Sequence, residues 1–198
     1  MMEEDENAEI LAAMKAAIDG SRGYAEFFTW PPDRDLEEAG VLESLVESMN
    51  LDGIPFYSAL KCRGRSNDPP DCEGVDANGA RVAIEITELV DGAAIRAAKM
   101  TGRKYDFREW TKEAFLSELA NRIDAKDARY PYLKEPPYPG GYIVVVHTDE
   151  PLLSRSTAQS YLAGHRFPRP THMSRALLLL SYDLVIQRCP YFELAFSD

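Results

Sequence analysis

Helix-forming and strand-forming stretches alternate along this chain, and the alternation predicts an α/β domain. Helical patterns near residues 7–19, 35–49, 111–130 and 156–163 are interleaved with strand patterns at 54–62, in a hairpin ending at 89, and at 142–147, 175–181 and 191–196. A second observation is the nearly continuous apolar run from Tyr142 to His147, the pattern of a central strand covered on both faces. The third is size. With 198 residues and 45% hydrophobic content the chain can bury a real core, about 70% of its unfolded surface. A single domain over 1–198 is expected, with an N-terminal helical extension (1–34), a core (35–149) and a C-terminal helix and strands (150–198).

Each element has a local reason. Residues 7–19 carry Ala, Leu, Met and Lys and stop at Asp19-Gly20. Trp30-Pro31-Pro32 reads as a packed loop before the next helix, whose stripe gathers Val41, Leu42, Leu45, Val46 and Met49. At about 100° per residue Glu38 falls on that same stripe, and an acid there must find a partner. The stretch 54–62 is rich in Phe and Tyr, and the polar loop 63–70 ends in Pro69-Pro70. After Leu89 the sequence reads as an irregular basic segment. Thr111 is a good N-cap for a helix running to about Tyr130, with Glu113 in its first turn. Its stripe comprises Phe115, Leu119, Ile123 and Tyr130, and Lys112 and Lys126 fall inside it by angle. Such placement is unusual for lysine, and snorkelling along apolar surface is the plain account of it.

The hairpin carries the chemistry. Ala77-Asn78-Gly79 suits a three-residue loop in which Gly79 takes the left-handed conformation. Asp76 then faces Ala80, and counting back sets Asp71 opposite Glu85 on one face, with Ala83 and Thr87. Val82, Ile84 and Ile86 take the other face. A two-residue loop would put the two acids on opposite faces. An acid at a strand head beside another inside an apolar strand is costly without a compensating cation, which is how a carboxylate metal site looks in sequence.

Here the chain resembles the PD-(D/E)XK nuclease superfamily, the restriction-endonuclease-like fold, in Pro70-Asp71 and Glu85-Ile86-Thr87 and in the order helix, three strands, helix, strand over residues 35–149. Thr87 stands where the family has lysine. The resemblance implies a mixed central β-sheet flanked by helices and a metal-dependent phosphodiesterase acting on a nucleic acid. It also implies a Mg2+ or Mn2+ site held by Asp71, Glu85 and the backbone carbonyl of Ile86. The first core helix of the family often lends a Glu to the metal, which makes Glu38 a candidate, beside the plainer role of a salt-bridged acid at a helix start. Members with the lysine moved to a neighbouring helix make Lys126, more than Lys112, the candidate ammonium, with Thr87 orienting a water. Oligomers are common among such nucleases, and the resemblance makes a homodimer one expectation. The alternative is a decayed nuclease-like fold serving as a binding or regulatory protein, in which Asp71 and Glu85 pair with Lys or Arg.

Charge and composition bound the rest. A formal net charge of -11 opposes phosphate binding over the surface as a whole. The strip Arg96, Lys99, Arg103, Lys104, Arg108 and Lys112 is a solvated linker or a phosphate-binding edge. Cys62, Cys72 and Cys189 form no CxxC pair, and their odd count favours reduced thiols and a cytoplasmic location. The acidic N-terminus is neither a secretory signal nor an anchor, and no apolar run approaches the ~20 residues of a membrane span. Gly-rich nucleotide loops and a GxSxG elbow are lacking, and His165 and His172 sit at no ligand spacing. His147-Thr148-Asp149 ends a buried strand, where α/β enzymes often place chemistry; a strand-end histidine held by backbone is the plainer reading, and unrelated chemistry centred there is a third one.

Overall fold

A computed structural model describes residues 34–101 and 109–198, with side chains of 97–101 excepted. The expected N-terminal helix at 7–19, the Trp30-Pro31-Pro32 loop and the basic residues Arg103, Lys104 and Arg108 lie outside the described residues. Helix α1 (Arg34–Leu51) leads into strands β1 (Ser58–Cys62), β2 (Cys72–Val75) and β3 (Arg81–Glu88). Helices α2 (Gly92–Thr101) and α3 (Lys112–Asp127) and a 3-10 turn at Tyr130–Tyr132 precede β4 (Gly141–Thr148). Helix α4 (Arg155–Leu162) and strands β5 (Arg175–Leu180) and β6 (Tyr191–Glu193) complete the chain. The six strands form one mixed sheet in sequence order. The pairs β1–β2, β2–β3 and β5–β6 are antiparallel, whereas β3–β4 and β4–β5 are parallel. Both parallel connections contain helices, as a crossover between parallel strands requires.

The hairpin folds as its residues dictate. Asp76 N donates to Ala80 O at 2.9 Å and Gly79 N to Asp76 O at 3.1 Å. Gly79 has φ +80, in the left-handed region where its missing Cβ matters. The Asp76 carboxylate accepts from the amides of Asn78 (2.9 Å) and Ala80 (2.8 Å), closing the loop. Cys72 pairs with Ile84 and Val75 with Arg81, the register that carries Asp71 to the level of Glu85.

Period-two alternation then divides the core between two faces. Val82, Ile84 and Ile86 pack with Ile143, Val145, Leu177 and Leu179 against Val41, Leu42, Leu45 and Met49 of α1. On the opposite face, Ala83, Tyr142, Val144 and Val146 pack against Phe115, Leu119 and Ile123 of α3 and Ala158 of α4. Burying each such aliphatic side chain contributes about 1.5–3 kcal/mol. The α3 start is capped as expected, with Ala114 N donating to Thr111 Oγ1 at 3.2 Å.

Three expectations are corrected. The segment after Leu89 is not irregular throughout: Gly92–Thr101 is helical, Asp91 Oδ1 accepting from Ala93 N at 2.9 Å at its start. Helix α3 stops at Asp127, where Ala128 N bonds back to Asp124 O at 3.0 Å; Pro131 follows too closely for the helix to reach Tyr130. Cys62 and Cys72 are not both reduced thiols: as register partners of β1 and β2, with Cα atoms 3.9 Å apart, they form a disulfide, and Cys189 is a buried free cysteine. The two stand ten positions apart in sequence, and the strand pairing brings them together. Among the described residues no helix is long and apolar enough to cross a membrane.

Candidate functional site

Strand β2 begins at Cys72, opposite Ile84, so the second half of β3 runs beyond its antiparallel neighbour. Asp71 ends that ladder. Its Oδ2 accepts the backbone N–H of Ile86 at 2.7 Å, so a carboxylate takes the place of a strand carbonyl. A cleft of about 360 Å³ opens here, lined by Arg34, Glu38, Ile86, Thr87, Lys126 and Arg129 together with Glu37, Glu88 and His147.

Asp71 and Glu85 are buried, their side chains showing 0% exposure. The cost of removing an ion from water is several kcal/mol, and a partner at about 3 Å returns roughly 5 kcal/mol at an effective dielectric of 20. Two buried carboxylates side by side therefore need several cations. Lys126 Nζ bonds Glu85 Oε2 and lies 3.3 Å from Asp71 Oδ2. Arg129 reaches Glu85 Oε2 at 3.1 Å and Asp68 Oδ1 at 2.8 Å. Arg34 reaches Asp71 Oδ1 at 2.8 Å and Asp68 Oδ2 at 3.4 Å, and its Nε bonds Glu38. Four carboxylates, Asp68, Asp71, Glu85 and Glu38, thus share three cations.

Burial, helped by the neighbouring Asp71 charge, pushes the Glu85 carboxyl up to about 7 against the pull of Lys126 and Arg129. Burial and Asp71 also push Glu38 up to about 7, opposed by Arg34. Asp68 goes the other way: burial raises it, but Arg129, Arg34 and a hydrogen bond with Asp71 together hold it below its ordinary value. Tyr142, raised by burial above all, keeps its hydroxyl proton and donates it to Lys126 O at 2.7 Å, tying the end of α3 to β4.

Of the residues singled out in the sequence, Asp71, Glu85 and Lys126 come together, and Ile86 joins them through its amide. Thr87 lines the same cleft. Lys112 lies at the other end of α3 from Lys126. Glu38 faces the cleft through Arg34, but the carboxylate that comes close to Asp71 and Glu85 is Asp68, with one oxygen from each of the three within 4.8 Å of the others. Sequence reasoning passed over Arg34, Asp68 and Arg129. Arg34 stands four residues before Glu38 and Arg129 three after Lys126, spacings that share a helical side, and Asp68 directly precedes Pro69-Pro70.

The donor set suits a hard divalent ion, being all oxygen. Glu85 Oε1 is buried and has no hydrogen-bond partner among the described residues, so one ligand oxygen is left over after the ion pairs are made. A second group, Glu37, Glu88 and His147, lies in the same cleft, with His147 Nε2 3.8 Å from Glu37 Oε1. No family model, curated protein or solved structure matches the chain.

Proposed function

We propose that this cleft is the active site of a metal-dependent nuclease of the PD-(D/E)XK type, on a restriction-endonuclease-like core. The observation that carries the reading is Lys126: an ammonium from α3 lies between Asp71 and Glu85, beside the strand position where Thr87 replaces the motif lysine. The helix-borne lysine that the sequence called for supports the resemblance at its weakest point.

Asp71, Glu85 and the Ile86 carbonyl would hold Mg2+ or Mn2+. The bound ion would supply a water of lowered pKa and neutralise charge building on the phosphate. The Lys126 side chain stands next to the two carboxylates, where it would stabilise negative charge that develops during phosphodiester cleavage. Thr87 offers a hydroxyl that orients a water at the cleft wall. The apolar packing beneath β3 keeps bulk water from the inner side of Glu85.

Mn2+-dependent cleavage of a panel of single- and double-stranded DNA and RNA tests the reading. Wild-type activity lost in the Asp71→Ala, Glu85→Ala double variant is expected, and cleavage that persists in Asp71→Ala overturns the assignment. One observation favours a second reading, a binding or regulatory protein on a decayed site: Asp71 and Glu85 are held by Arg34, Lys126 and Arg129. A melting temperature unmoved by millimolar Mg2+ or Mn2+ supports that second reading, because a ligand specific to the native state must stabilise it.

A further inference from the structure

Arg34 and Arg129 are placed unlike the other charged groups of the cleft. Arg34 holds Asp71, Asp68 and Glu38, and Arg129 holds Glu85 and Asp68; like Lys126 they bridge carboxylates, but they do so from the solvent side. Asp71 and Glu85 are fully enclosed and Lys126 nearly so, whereas the Arg34 and Arg129 side chains keep 42% and 34% of their exposure. Asp71, Glu85 and Lys126 are thus enclosed, and the two guanidiniums reach the solvent side of the cluster. Each guanidinium is also a planar fork of donors that fits two oxygens of a phosphate as well as it fits a carboxylate.

We infer that Arg34 and Arg129 are a latch. They are closed on Asp68, Asp71 and Glu85 in the structure, and they open when a divalent cation takes those carboxylates and turn to a phosphate group in the same cleft. The inference rests on the metal reading of Asp71 and Glu85 and adds Asp68 as the third carboxylate of the site. The unpartnered Glu85 Oε1 gives the cation its first foothold without displacing any existing bond. Charge gives the coupling its sign. With all four carboxylates ionised the cluster carries one negative charge more than its three cations, and a doubly charged ion reverses that balance, frees Arg129 and leaves Arg34 with Glu38 alone. An anion then finds a positive cleft that the cation-free protein does not offer, within a chain of net charge -11. Coupling between two ligands is reciprocal, so each tightens the other by the same factor.

The test is a calorimetric titration of the full chain with Mn2+, alone and with dimethyl phosphate, a phosphodiester small enough to need only the guanidiniums. Dimethyl phosphate is expected to tighten Mn2+ binding roughly fivefold or more. In an Arg34→Gln, Arg129→Gln double variant, Mn2+ alone should bind more tightly than to wild type, because its competitors are gone, and dimethyl phosphate should no longer change it. Methyl phosphate in place of the diester separates the two sources of the anion: the stronger coupling with the diester marks an internal phosphate of a chain, and with the monoester a terminal one. Equal Mn2+ affinity with and without either ester in wild type overturns the latch and leaves the metal site standing. No Mn2+ binding at all overturns both. The decisive comparison is made on wild-type protein, so it stands even where the double variant does not fold.

Discussion

The two faces of β3 solve the same burial problem in opposite ways. Toward α1 the strand presents Val82, Ile84 and Ile86, all within 5% of full burial, to an aliphatic layer that asks only for shape. Toward α3 it presents Ala83, Glu85 and Thr87, and the central position is a carboxylate at 0% exposure. The first face stabilises by removing apolar area from water. The second removes a charge from water and recovers the cost only through Lys126 and Arg129, with Asp71 beside it adding to the demand. A fold that needed only stability would place an aliphatic side chain at position 85, since well-packed apolar groups often equal or surpass a buried ion pair. The costly arrangement borders a cleft that Lys126 and Arg129 line, the setting in which perturbed carboxyls mark a candidate functional site.

The largest expected effect separates the faces directly. Lys126→Ala leaves two enclosed carboxylates short of a cation and should cost about 3–5 kcal/mol in urea denaturation. Ile84→Ala on the dry face should cost about 2–4 kcal/mol, from lost transfer energy and a cavity. The contrast lies in the rescue: changing Glu85 to Leu together with Lys126 to Met should restore most of the first loss, whereas no partner substitution restores the second. A double variant as unstable as Lys126→Ala would show that the charge on this face is not the source of the cost.

Next in size is the pH dependence. Glu85 and Glu38 have native values of about 7 against ordinary values of 4.5, so the folded protein holds protons there that the unfolded chain has already released. Their contribution to stability is complete below about pH 4.5 and is lost as pH rises through about 7, at up to roughly 1.4 kcal/mol per pH unit for each group. Asp68, held below its ordinary value, works in the opposite sense at lower pH. Chemical denaturation between pH 4.5 and 7 should show the falling stability, and Glu85→Gln should flatten it; stability that rises across this interval in wild type sinks the assignment.

The smallest effect sharpens what burial does. Glu118 and Arg122 form an ion pair on the same helix as Lys126, with both side chains about a third exposed. Glu118→Ala should cost about 0.5 kcal/mol or less, and added salt should erase the difference. A loss comparable to that of Lys126→Ala would mean that position on α3, and not enclosure, governs the energetics.

The sequence by itself determined the hairpin and what lies on each side of it. Ala77-Asn78-Gly79 sets a three-residue loop, the loop sets the register, and the register places Asp71 level with Glu85, because side-chain direction along a strand has a strict period of two. Helical periodicity likewise put Lys126 and Glu38 on buried stripes, since an angle of about 100° per residue is a local property. Only the tertiary structure decided what those residues meet. Nothing local shows that Arg129, just past the end of α3, reaches across to Asp68, or that Arg34 spans to Asp71, contacts separated by 61 and 37 residues. The Cys62–Cys72 bond belongs to the same class: composition argued for free thiols, and the pairing of β1 with β2 brought the two sulfurs together. Partners of a buried charge are chosen by where whole elements pack, and packing depends on every residue of the core at once.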